Sequence, residues 1–456
     1  MAERLKLIVL DDDPTGSQTV HSCPLLLRWD AASLRQGLAH SSPLLFVLTN
    51  TRALEPATAQ SRVREVCQTL RPLLLEARAN GWFDHWMVVS RGDSTLRGHF
   101  PLEADVIEAE LGPFDIKLLA PAFLPGGRTT VDGIHLLHGE PVHQSDYAQD
   151  RLFGFSTSAL NGWVEQKTCG RIRASAVGRI TAEQLDAAAS SEQGQHDLVE
   201  WLHNQSDRAW LSVDAERQQQ LEGLGAAVRL AIGAGQRLMA QSAASLLNGL
   251  VPLPAQPQPP QALAKLRRTT RHGETLPGLV MVGSHVPLAD AQLRELLQSP
   301  RCAGVEIPVE TIAQALRCGD ATQAIDDCST TLQRSLEAIL QRAQTAVLYS
   351  QRGEVHCGDP SERRRLGLTV AQLMGNVAAN LSSGLGYILS KGGITSHTLL
   401  ADGLRINLVE LKGQLMPGIS LLMAKGMPVI TVPGNLGDRN TVRLCWRLME
   451  GHQEGR

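Results

Sequence analysis

Short runs of apolar residues alternate with longer amphipathic stretches along most of this chain. In the first half the apolar runs cover residues 5–10, 44–48, 86–89 and 116–120, and a stretch with helical spacing covers residues 58–79. Continuously apolar strands that alternate with helices are typical of a mainly parallel sheet with helices on both faces. The first half is therefore predicted to be an α/β domain.

The second half repeats this rhythm. Its apolar runs cover residues 279–282, 305–309, 346–350, 408–411 and 429–432. In open α/β sheets, residues at the carboxyl ends of the strands line the ligand crevice. We therefore expect functional side chains directly after these runs in both halves.

A proline-rich stretch separates the halves. Five prolines lie between residues 252 and 260. Proline removes a backbone donor and restricts φ, so neither a helix nor a central strand is expected to pass through this stretch. The prediction is a domain at 1–250, a linker at 251–276 and a second domain at 277–456.

Composition and charge narrow the class of protein. The length of 456 residues allows two or three domains. The net charge of −3 gives no overall field to hold a polyanion. No apolar run approaches the roughly 18 to 20 residues that span a bilayer, and the first residues lack the features of a signal peptide. With eight scattered cysteines and no C-x-x-C pair, we expect a cytoplasmic protein with free thiols that binds neither nucleic acid nor membranes.

The first candidate site follows the apolar run 7–10, where the chain reads Asp11-Asp12-Asp13-Pro14-Thr15-Gly16-Ser17. Three adjacent carboxylates repel one another unless a cation or a hydroxyl-rich ligand engages them. A ligand site is therefore favoured over the alternative, a solvated turn in which Asp or Thr caps a helix.

A second candidate follows the run 87–89, where residues 91–99 read RGDSTLRGH. The planar fork of Arg97 matches a carboxylate with two hydrogen bonds, and Asp93 and Ser94 offer partners for hydroxyl groups. This combination suits a small polyhydroxy acid. The alternative is a capped helix start with incidental arginines.

A third candidate lies after residue 119, where Gly126 and Gly127 permit close backbone approach and Arg128 could complete an anion site. Three histidines follow: His135, His138 and His143. No carboxylate or helix register is fixed around them. Surface or hydrogen-bonded histidines are therefore favoured over a metal cluster.

Three turns of small residues follow predicted strands of the second half: Gly283-Ser284, Gly392-Gly393 with Thr395, and Gly434-Asn435. Backbone N–H groups in such turns point at anionic oxygens, so several of them on one sheet edge indicate a nucleotide site. Each turn alone would equally suit an ordinary tight turn. The chain carries neither a Walker-type G-x-x-x-x-G-K-[ST] string nor the H-R-D and D-F-G strings of protein kinases.

In order and spacing these motifs resemble those of the four-carbon acid sugar kinases along nearly the whole chain. The distinctive parts are the opening aspartates with Thr15-Gly16, the string DSTLRG at 93–98, Gly392-Gly393 with Thr395-Ser396, and Gly434-Asn435. Members of this family phosphorylate acids such as threonate, erythronate or 3-oxo-tetronate with ATP. The resemblance implies an N-terminal domain that binds the sugar acid, a C-terminal domain that binds the nucleotide, and a reaction in the cleft between them.

The resemblance also implies roles for individual residues. The positions associated with the acid sugar are Asp12, Asp13, Asp93, Ser94 and Arg97, to which the motifs themselves add Arg91 and Arg128. The positions around ATP are Ser284, Gly392, Gly393, Thr395, Gly434 and Asn435. Mg²⁺ is expected with ATP, and the family suggests a homodimer.

Some residues depart from the usual pattern of the family: Pro14 stands where leucine is common, Gln18-Thr19 replaces a more acidic stretch, Arg91 and Val432 stand where lysine is common, and His99 stands where asparagine is common. These changes indicate a divergent subgroup. They leave the exact substrate more open than the reaction type.

Phosphoryl transfer mainly requires alignment of a hydroxyl with the γ-phosphate and neutralisation of the developing charge. We expect Arg97 to bind the substrate carboxylate and Asp12 or Asp93 to be the catalytic base for the terminal hydroxyl, with Asp12 favoured. Two alternatives remain open. One is a phosphatase of the haloacid dehalogenase type, with Asp11 as nucleophile and Asp13 as general acid, and the other is a sensor that binds sugar acids without converting them.

Overall fold

The structure is a computed structural model that describes residues 4–13, 20–205, 209–251, 253, 256–318, 321–353, 355, 357, 359–434 and 436–451. Residues 14–19 and Asn435, which the motifs above include, lie outside the described residues. The chain divides into two compact units, Met1–Pro254 and Ala255–Arg456. Each unit is an α/β domain with a mainly parallel sheet flanked by helices, as predicted.

In the described part of the N-terminal domain, eight parallel strands form one sheet. In chain order its strands are β1 (Leu5–Asp11), β2 (Cys23–Leu26), β3 (Leu44–Leu48), β4 (His85–Arg91), β5 (Ile116–Ala120), β9 (Val177–Ile180), β10 (Ala209–Val213) and β11 (Leu238–Ser242). Their order across the sheet is β2-β3-β1-β4-β11-β5-β10-β9. A separate antiparallel sheet is formed by β6 (Arg128–Val131), β7 (Ile134–Leu137) and β8 (Glu140–Pro141).

Eight α-helices of this domain are described: α1 (Ala31–Ala39), α2 (Pro56–Ala79), α3 (Leu102–Leu111), α4 (Leu160–Lys167), α5 (Ala182–Ser190), α6 (Glu192–His203), α7 (Gln218–Gly233) and α8 (Ala244–Leu250). Local sequence explains several helix starts. The Asp30 carboxylate caps α1, Pro56 occupies the first turn of α2, and Thr181 forms a capping box on α5.

Two glycines in α7 allow helices to pack closely. A Cβ atom at Gly225 would lie 1.8 Å from the carbonyl oxygen of Gly249 in α8. A Cβ atom at Gly223 would lie 2.5 Å from the backbone nitrogen of Ala189 in α5. Since these neighbours are backbone atoms that cannot rotate away, no larger residue fits without moving a helix.

The C-terminal domain contains β12 (Gly278–Val282), β13 (Cys302–Ile307), β14 (Thr345–Ser350), β15 (Tyr387–Lys391), β16 (Leu408–Met416), β17 (Ile419–Ala424) and β18 (Met427–Val432). Their order is β13-β14-β12-β15-β18-β17-β16. The first five strands in this order are parallel, and β17 is antiparallel to both of its neighbours. The apolar run predicted at 305–309 ends early as a strand, because Pro308 interrupts it and Val309 begins a helix.

The described helices of the C-terminal domain are α9 (Pro260–Ala264), α10 (Pro287–Leu297), α11 (Val309–Cys318), α12 (Ala321–Leu340), α13 (Pro360–Leu381), α14 (Gly393–Thr398) and α15 (Thr441–Glu450). Helix α9 lies within the stretch predicted as a linker. Its Leu263 is fully buried in the core with residues such as Val280 and Trp446, so this part of the stretch packs as part of the domain. Among the described helices, none has the length and apolarity required to cross a bilayer.

Candidate active site

The candidate site residues predicted in the first half lie at a topological switch point of the N-terminal sheet. Strands β2 and β3 lie on one side of β1, and β4 lies on its other side. In such sheets ligands bind at the carboxyl ends of the strands where the order reverses. The aspartates after β1 and the string at residues 91–99 after β4 therefore meet. This agrees with the strand-end rule, by which functional side chains follow directly after the strands.

Asp12 is held by an arginine that follows β3. Only 2% of Asp12 is exposed, and Arg52 donates from Nε to Oδ2 at 2.9 Å and from Nη2 to Oδ1 at 2.5 Å. Arg91 Nη1 lies 3.8 Å from Asp12 Oδ1. Burial raises the pKa of Asp12, although the positive charges of Arg52 and Arg91 oppose this shift. Asp12 is therefore a charge-compensated carboxylate with a greater proton affinity than an exposed aspartate.

Asp93 and Arg97 form a second ion pair. Arg97 Nε donates to Asp93 Oδ2 at 2.7 Å, and the Thr95 hydroxyl donates to the same oxygen. Burial raises the pKa of Asp93, but the charges of Arg52 and Arg97 outweigh it and lower the value to about 2. Asp93 is therefore ionised at neutral pH and accepts hydrogen bonds.

The outer end of the Arg97 guanidinium group, formed by Nη1 and Nη2, differs from the Nε side. Its Nε is occupied by Asp93 and Thr95, and Tyr147 lies against its face with 4.8 Å between Arg97 Cζ and the ring centroid. No hydrogen bond from Nη1 or Nη2 to any described residue is present. Asp93, Thr95 and Tyr147 thus orient the side chain, while Nη1 and Nη2 can donate to a ligand.

These groups line a small pocket of about 20 Å³, here called the N-terminal pocket. Its lining includes Asp12, Asp93, Arg97 and Glu103. Gly98 also lines it with a φ of +127°, and a Cβ atom there would lie 3.3 Å from Asp12 Oδ2. Glycine at this position satisfies the backbone conformation and leaves space beside the Asp12 carboxylate.

The other residues predicted to bind substrate are placed differently. Asp13 is 28% exposed and its Oδ2 lies 3.5 Å from Arg52 Nη1. Ser94 is buried next to the pocket, where its carbonyl oxygen contacts His135 Nε2 at 2.8 Å. Arg91 is buried with Nη1 3.4 Å from Asp11 Oδ1. None of these three is part of the pocket lining.

Arg128 does not join the pocket. It donates to the carbonyl oxygen of Gly126 in its own turn and lies over the ring of Phe123, and it is not among the lining residues.

Two of the three histidines predicted to be surface or hydrogen-bonded residues do form hydrogen bonds. His135 bonds to Thr130, and burial lowers its pKa to about 4, whereas His143 bonds to Ser158. Among the described residues, no group of three or more His, Cys, Asp or Glu side chains could hold a metal ion.

Sequence reasoning missed Arg52 and Glu103. Arg52 lies four residues after the end of β3, so the strand-end rule, applied to this strand as well, could have found it. Glu103 lies in the first turn of α3 and resembles an ordinary acidic helix start. In the structure it is 6% exposed and lines the N-terminal pocket. The Ser90 hydroxyl donates to its Oε2 atom at 3.4 Å.

The pKa of Glu103 predicts how stability depends on pH. Burial, together with the negative charge of Asp12, raises this pKa from 4.5 to about 8. An acid whose pKa is higher in the folded chain stabilises the fold most at low pH, and this contribution is lost as the pH rises from the unfolded value through the folded value.

Glu103→Gln removes the ionisable carboxyl group whose titration makes stability depend on pH. Relative to the unmodified chain, the variant should gain up to about 1.4 kcal/mol of stability for each pH unit between about pH 5 and pH 8. Thermal melts of both chains at these two pH values measure the gain. The same difference in melting temperature at both values would contradict the raised pKa.

The small-residue turns of the C-terminal domain also converge, because β12, β15 and β18 are neighbours. A Cβ atom at Gly392, whose φ is +118°, would lie 3.4 Å from Ser284 Cβ and 3.3 Å from Thr395 Oγ1. A Cβ atom at Gly434 would lie 3.3 Å from Ser284 Oγ. We call these residues, with Gly283 and Gly393, the turn cluster. The N–H groups of Gly283 and Gly392 donate to the carbonyl oxygens of Lys391 and Val432, which ties the three turns together. The N–H groups of Ser284, Gly393 and Gly434 are the candidates for binding an anion.

Two cations that the site prediction did not include hold these turns. Arg352 donates to the carbonyl oxygens of Ser284 at 2.6 Å and Val282 at 3.1 Å. Lys391 is fully buried and donates to the carbonyl oxygen of Pro433 at 2.7 Å. Burial lowers the pKa of Lys391 to about 8. These bonds link the β12 turn to residues after β14 and the end of β15 to the β18 turn.

An apolar cleft of about 600 Å³ adjoins the turn cluster. Gly283 and Thr395 of the cluster form part of its wall. The rest is mainly aliphatic and includes Val309, Leu366, Val370, Met374 and Ile394. The cleft, here called the C-terminal cleft, offers an apolar slot for a flat ring next to donors for anionic oxygens.

Comparisons with known proteins agree with this division of chemistry. The model of a sugar-binding N-terminal domain matches residues 7–250, and the model of a nucleotide-binding C-terminal domain matches residues 279–442. Two crystal structures share the fold over 97% of this chain and 99% of theirs, both at 16% identity. One is from Salmonella typhimurium LT2, with a TM-score of 0.69, and the other is a Haemophilus influenzae protein of family-model DUF1537, with a TM-score of 0.63.

Curated relatives are kinases of four-carbon sugar acids. D-threonate kinase of Bordetella bronchiseptica is 24% identical over 95% of both chains, and D-threonate kinase of Cupriavidus necator is 24% identical over 78% of both. D-erythronate kinase of Heliobacterium modesticaldum is 29% identical over 32% of both chains. With both domain models matched in order, the chain belongs to the four-carbon acid sugar kinase family.

Proposed function

We propose that this chain transfers the γ-phosphate of Mg·ATP to the terminal hydroxyl of a four-carbon sugar acid of the threonate, erythronate or 3-oxo-tetronate class. The observation that carries the proposal is the combination of Arg97, Asp93 and Asp12 in one small pocket. A guanidinium group with two free nitrogens suits a carboxylate, and two carboxylates in different environments suit hydroxyl groups. The names of the curated relatives support the same substrate class.

The two aspartates have different roles in this proposal. Asp93, whose pKa is lowered to about 2, stays ionised and accepts a hydrogen bond from a substrate hydroxyl. Asp12, whose pKa burial raises, accepts the proton of the hydroxyl that attacks phosphorus. Arg97 binds the carboxylate at the other end of the acid. The terminal hydroxyl is thereby oriented for in-line attack.

The nucleotide belongs to the C-terminal domain in this proposal. The N–H groups of Ser284, Gly393 and Gly434 in the turn cluster bind the phosphates, and the C-terminal cleft holds the base against aliphatic side chains. Magnesium enters with ATP as part of the substrate and neutralises charge on the transferred group. Transfer requires the acid and the γ-phosphate to meet, so both domains are needed for turnover. The expected interdomain cleft and the homodimer stay predictions.

The phosphatase alternative requires Asp11 to be an accessible nucleophile. Asp11 is 1% exposed, lies within reach of Arg91 and does not line the N-terminal pocket. Burial raises its pKa to about 7. A buried and partly protonated carboxyl is a poor nucleophile, which favours the kinase.

A coupled assay of ADP release over a panel of four-carbon acids tests the proposal. The expected result is acid-dependent ADP formation, with one phosphate added to the terminal oxygen of the product. Phosphate release from sugar phosphates without ATP would support the phosphatase. Binding of the acids with no ADP formed from any of them would support the sensor.

The turn cluster can be tested at Gly434 without backbone strain. In Gly434→Ala the added methyl group lies 3.3 Å from Ser284 Oγ, a contact that a small shift of the hydroxyl relieves. The methyl group occupies space among the N–H groups. We expect the KM for ATP to rise about 10-fold, equivalent to roughly 1.4 kcal/mol, with the melting temperature unchanged.

Gly384→Ala is the matched control, because a Cβ atom there has no neighbour within 4 Å. It should leave the KM for ATP unaltered. Steady-state kinetics with ATP varied at saturating acid measure both variants. Equal KM values for Gly434→Ala and Gly384→Ala would exclude the turn cluster as the phosphate site.

A further inference from the structure

A second carboxylate faces the free end of Arg97. Asp150 Oδ2 lies 4.0 Å from Arg97 Nη1. This distance is too long for a direct hydrogen bond, which requires about 2.7–3.2 Å between nitrogen and oxygen. The two charged groups therefore approach each other without closing the contact.

The gap matches one bridging oxygen. An oxygen atom about 2.8 Å from both Arg97 Nη1 and Asp150 Oδ2 fits between them with an angle of roughly 90° at the bridging atom. It must accept from the guanidinium group and donate to the carboxylate. A hydroxyl group does both, whereas a carboxylate oxygen has no hydrogen to donate and would be repelled by Asp150.

We propose that Asp150 is a specificity residue that recognises the hydroxyl group on the carbon next to the substrate carboxylate. This inference rests on the proposed function, in which Arg97 binds that carboxylate. The 2-hydroxyl oxygen of a sugar acid lies beside its carboxylate oxygens. One guanidinium group therefore reaches both, with Nη1 donating to the hydroxyl and the hydroxyl donating to Asp150 Oδ2.

The position of Asp150 is fixed by contacts of the residues that follow it, 152–154. Its other oxygen, Oδ1, accepts from the backbone N–H groups of Leu152 at 2.9 Å and Phe153 at 3.0 Å. Phe153 is buried and packs edge-on against His99, with ring centroids 5.1 Å apart. Lys167 Nζ donates to the carbonyl oxygens of Phe153 and Gly154. Thus Oδ1 accepts from the backbone of its own turn, and Oδ2 is the oxygen directed at Arg97.

This division makes Asp150→Asn a clean variant. The amide oxygen is required at the Oδ1 position, because two N–H groups point at it, so the NH₂ group occupies the Oδ2 position. The turn is retained while an acceptor is replaced by a donor. Asp146→Asn is the matched control, since Asp146 is an exposed carboxylate at the start of the same segment.

The test compares threonate with its 2-deoxy analogue, 3,4-dihydroxybutanoate, by calorimetric binding and by kcat/KM. The unmodified chain should prefer threonate by about 10- to 100-fold, the range for a hydrogen bond to a charged group. Asp150→Asn should lose most of this preference because its affinity for threonate falls while that for the 2-deoxy acid stays constant. Asp146→Asn should keep the preference, and all three chains should share one melting temperature.

The outcomes separate this inference from the proposed function. If Asp150→Asn loses affinity equally for both acids, or loses no affinity for threonate, the role of Asp150 is overturned and the kinase is left intact. Binding that discriminates as expected, without ADP formation by the unmodified chain from any acid of the four-carbon panel, would reject the kinase and retain the role of Asp150. If no acid of the panel binds the unmodified chain, both are rejected.

Discussion

The Asp12→Asn variant is expected to lose about 10²- to 10⁴-fold in kcat for phosphorylation of the sugar acid, because an amide cannot accept the proton of the attacking hydroxyl. The substitution is nearly isosteric. The amide oxygen can still accept one of the two hydrogen bonds that Arg52 donates to the carboxylate. The loss should therefore appear in kcat, with the KM for ATP unchanged, in steady-state assays of ADP release.

Asp11→Asn is the control for this prediction. Asp11 precedes Asp12 in the chain and is equally buried, but it does not line the N-terminal pocket. Its pKa is raised to about 7 by burial, so a neutral amide resembles a form that the carboxyl already adopts. We expect kcat to stay within about threefold of the unmodified value. If Asp11→Asn abolishes turnover and Asp12→Asn does not, the assignment of the base to Asp12 is wrong.

The fold of this chain was largely predictable because its strands are continuously apolar. The runs at 44–48 and 116–120 match β3 and β5. What the apolar pattern did not indicate is the antiparallel addition of β16 and β17. Strand β16 is longer than its predicted run, since buried and partly exposed residues alternate along it. A search for continuous apolar runs detects only its first part.

The candidate site also contains residues that the sequence pattern indicates and residues that it does not. Asp12, Asp93 and Arg97 follow apolar strands directly, so the rule that ligands bind at carboxyl ends of strands was enough to find them. Glu103 and Asp150 lie on a helix and in an irregular segment. Their proximity to the pocket depends on how these elements pack in three dimensions. No local pattern in the sequence encodes that packing.

Arg128 is a contrasting case, because its predicted role in binding substrate has no support in the pocket geometry. It follows two glycines and has the chemistry of an anion ligand, but its guanidinium group bonds within its own turn. Residue type and a flexible neighbourhood are therefore insufficient. Arg97 differs because Asp93, Thr95 and Tyr147 hold it while its terminal nitrogens hydrogen-bond to no described residue.

Replacement of Arg97 by alanine is expected to lower kcat/KM for the sugar acid at least about 10²-fold. Two charge-assisted hydrogen bonds to the sugar acid are lost, each worth about 1.5–3 kcal/mol. The KM for ATP should not change, because the nucleotide belongs to the other domain in the proposed function. Arg97→Lys should be intermediate, since it keeps the charge and loses the planar fork.

The neutral amide of the acid separates recognition of charge from a general disturbance of the pocket. The unmodified chain should prefer threonate to threonamide, and Arg97→Ala should treat the two alike, because the residue that distinguishes them is gone. Added guanidinium ion should restore part of the activity on threonate only. Arg78→Ala, at an exposed position near the end of α2, is the control and should behave as the unmodified chain. A preference for threonate that survives in Arg97→Ala would place the carboxylate elsewhere, and the inferred role of Asp150 would then fail with it.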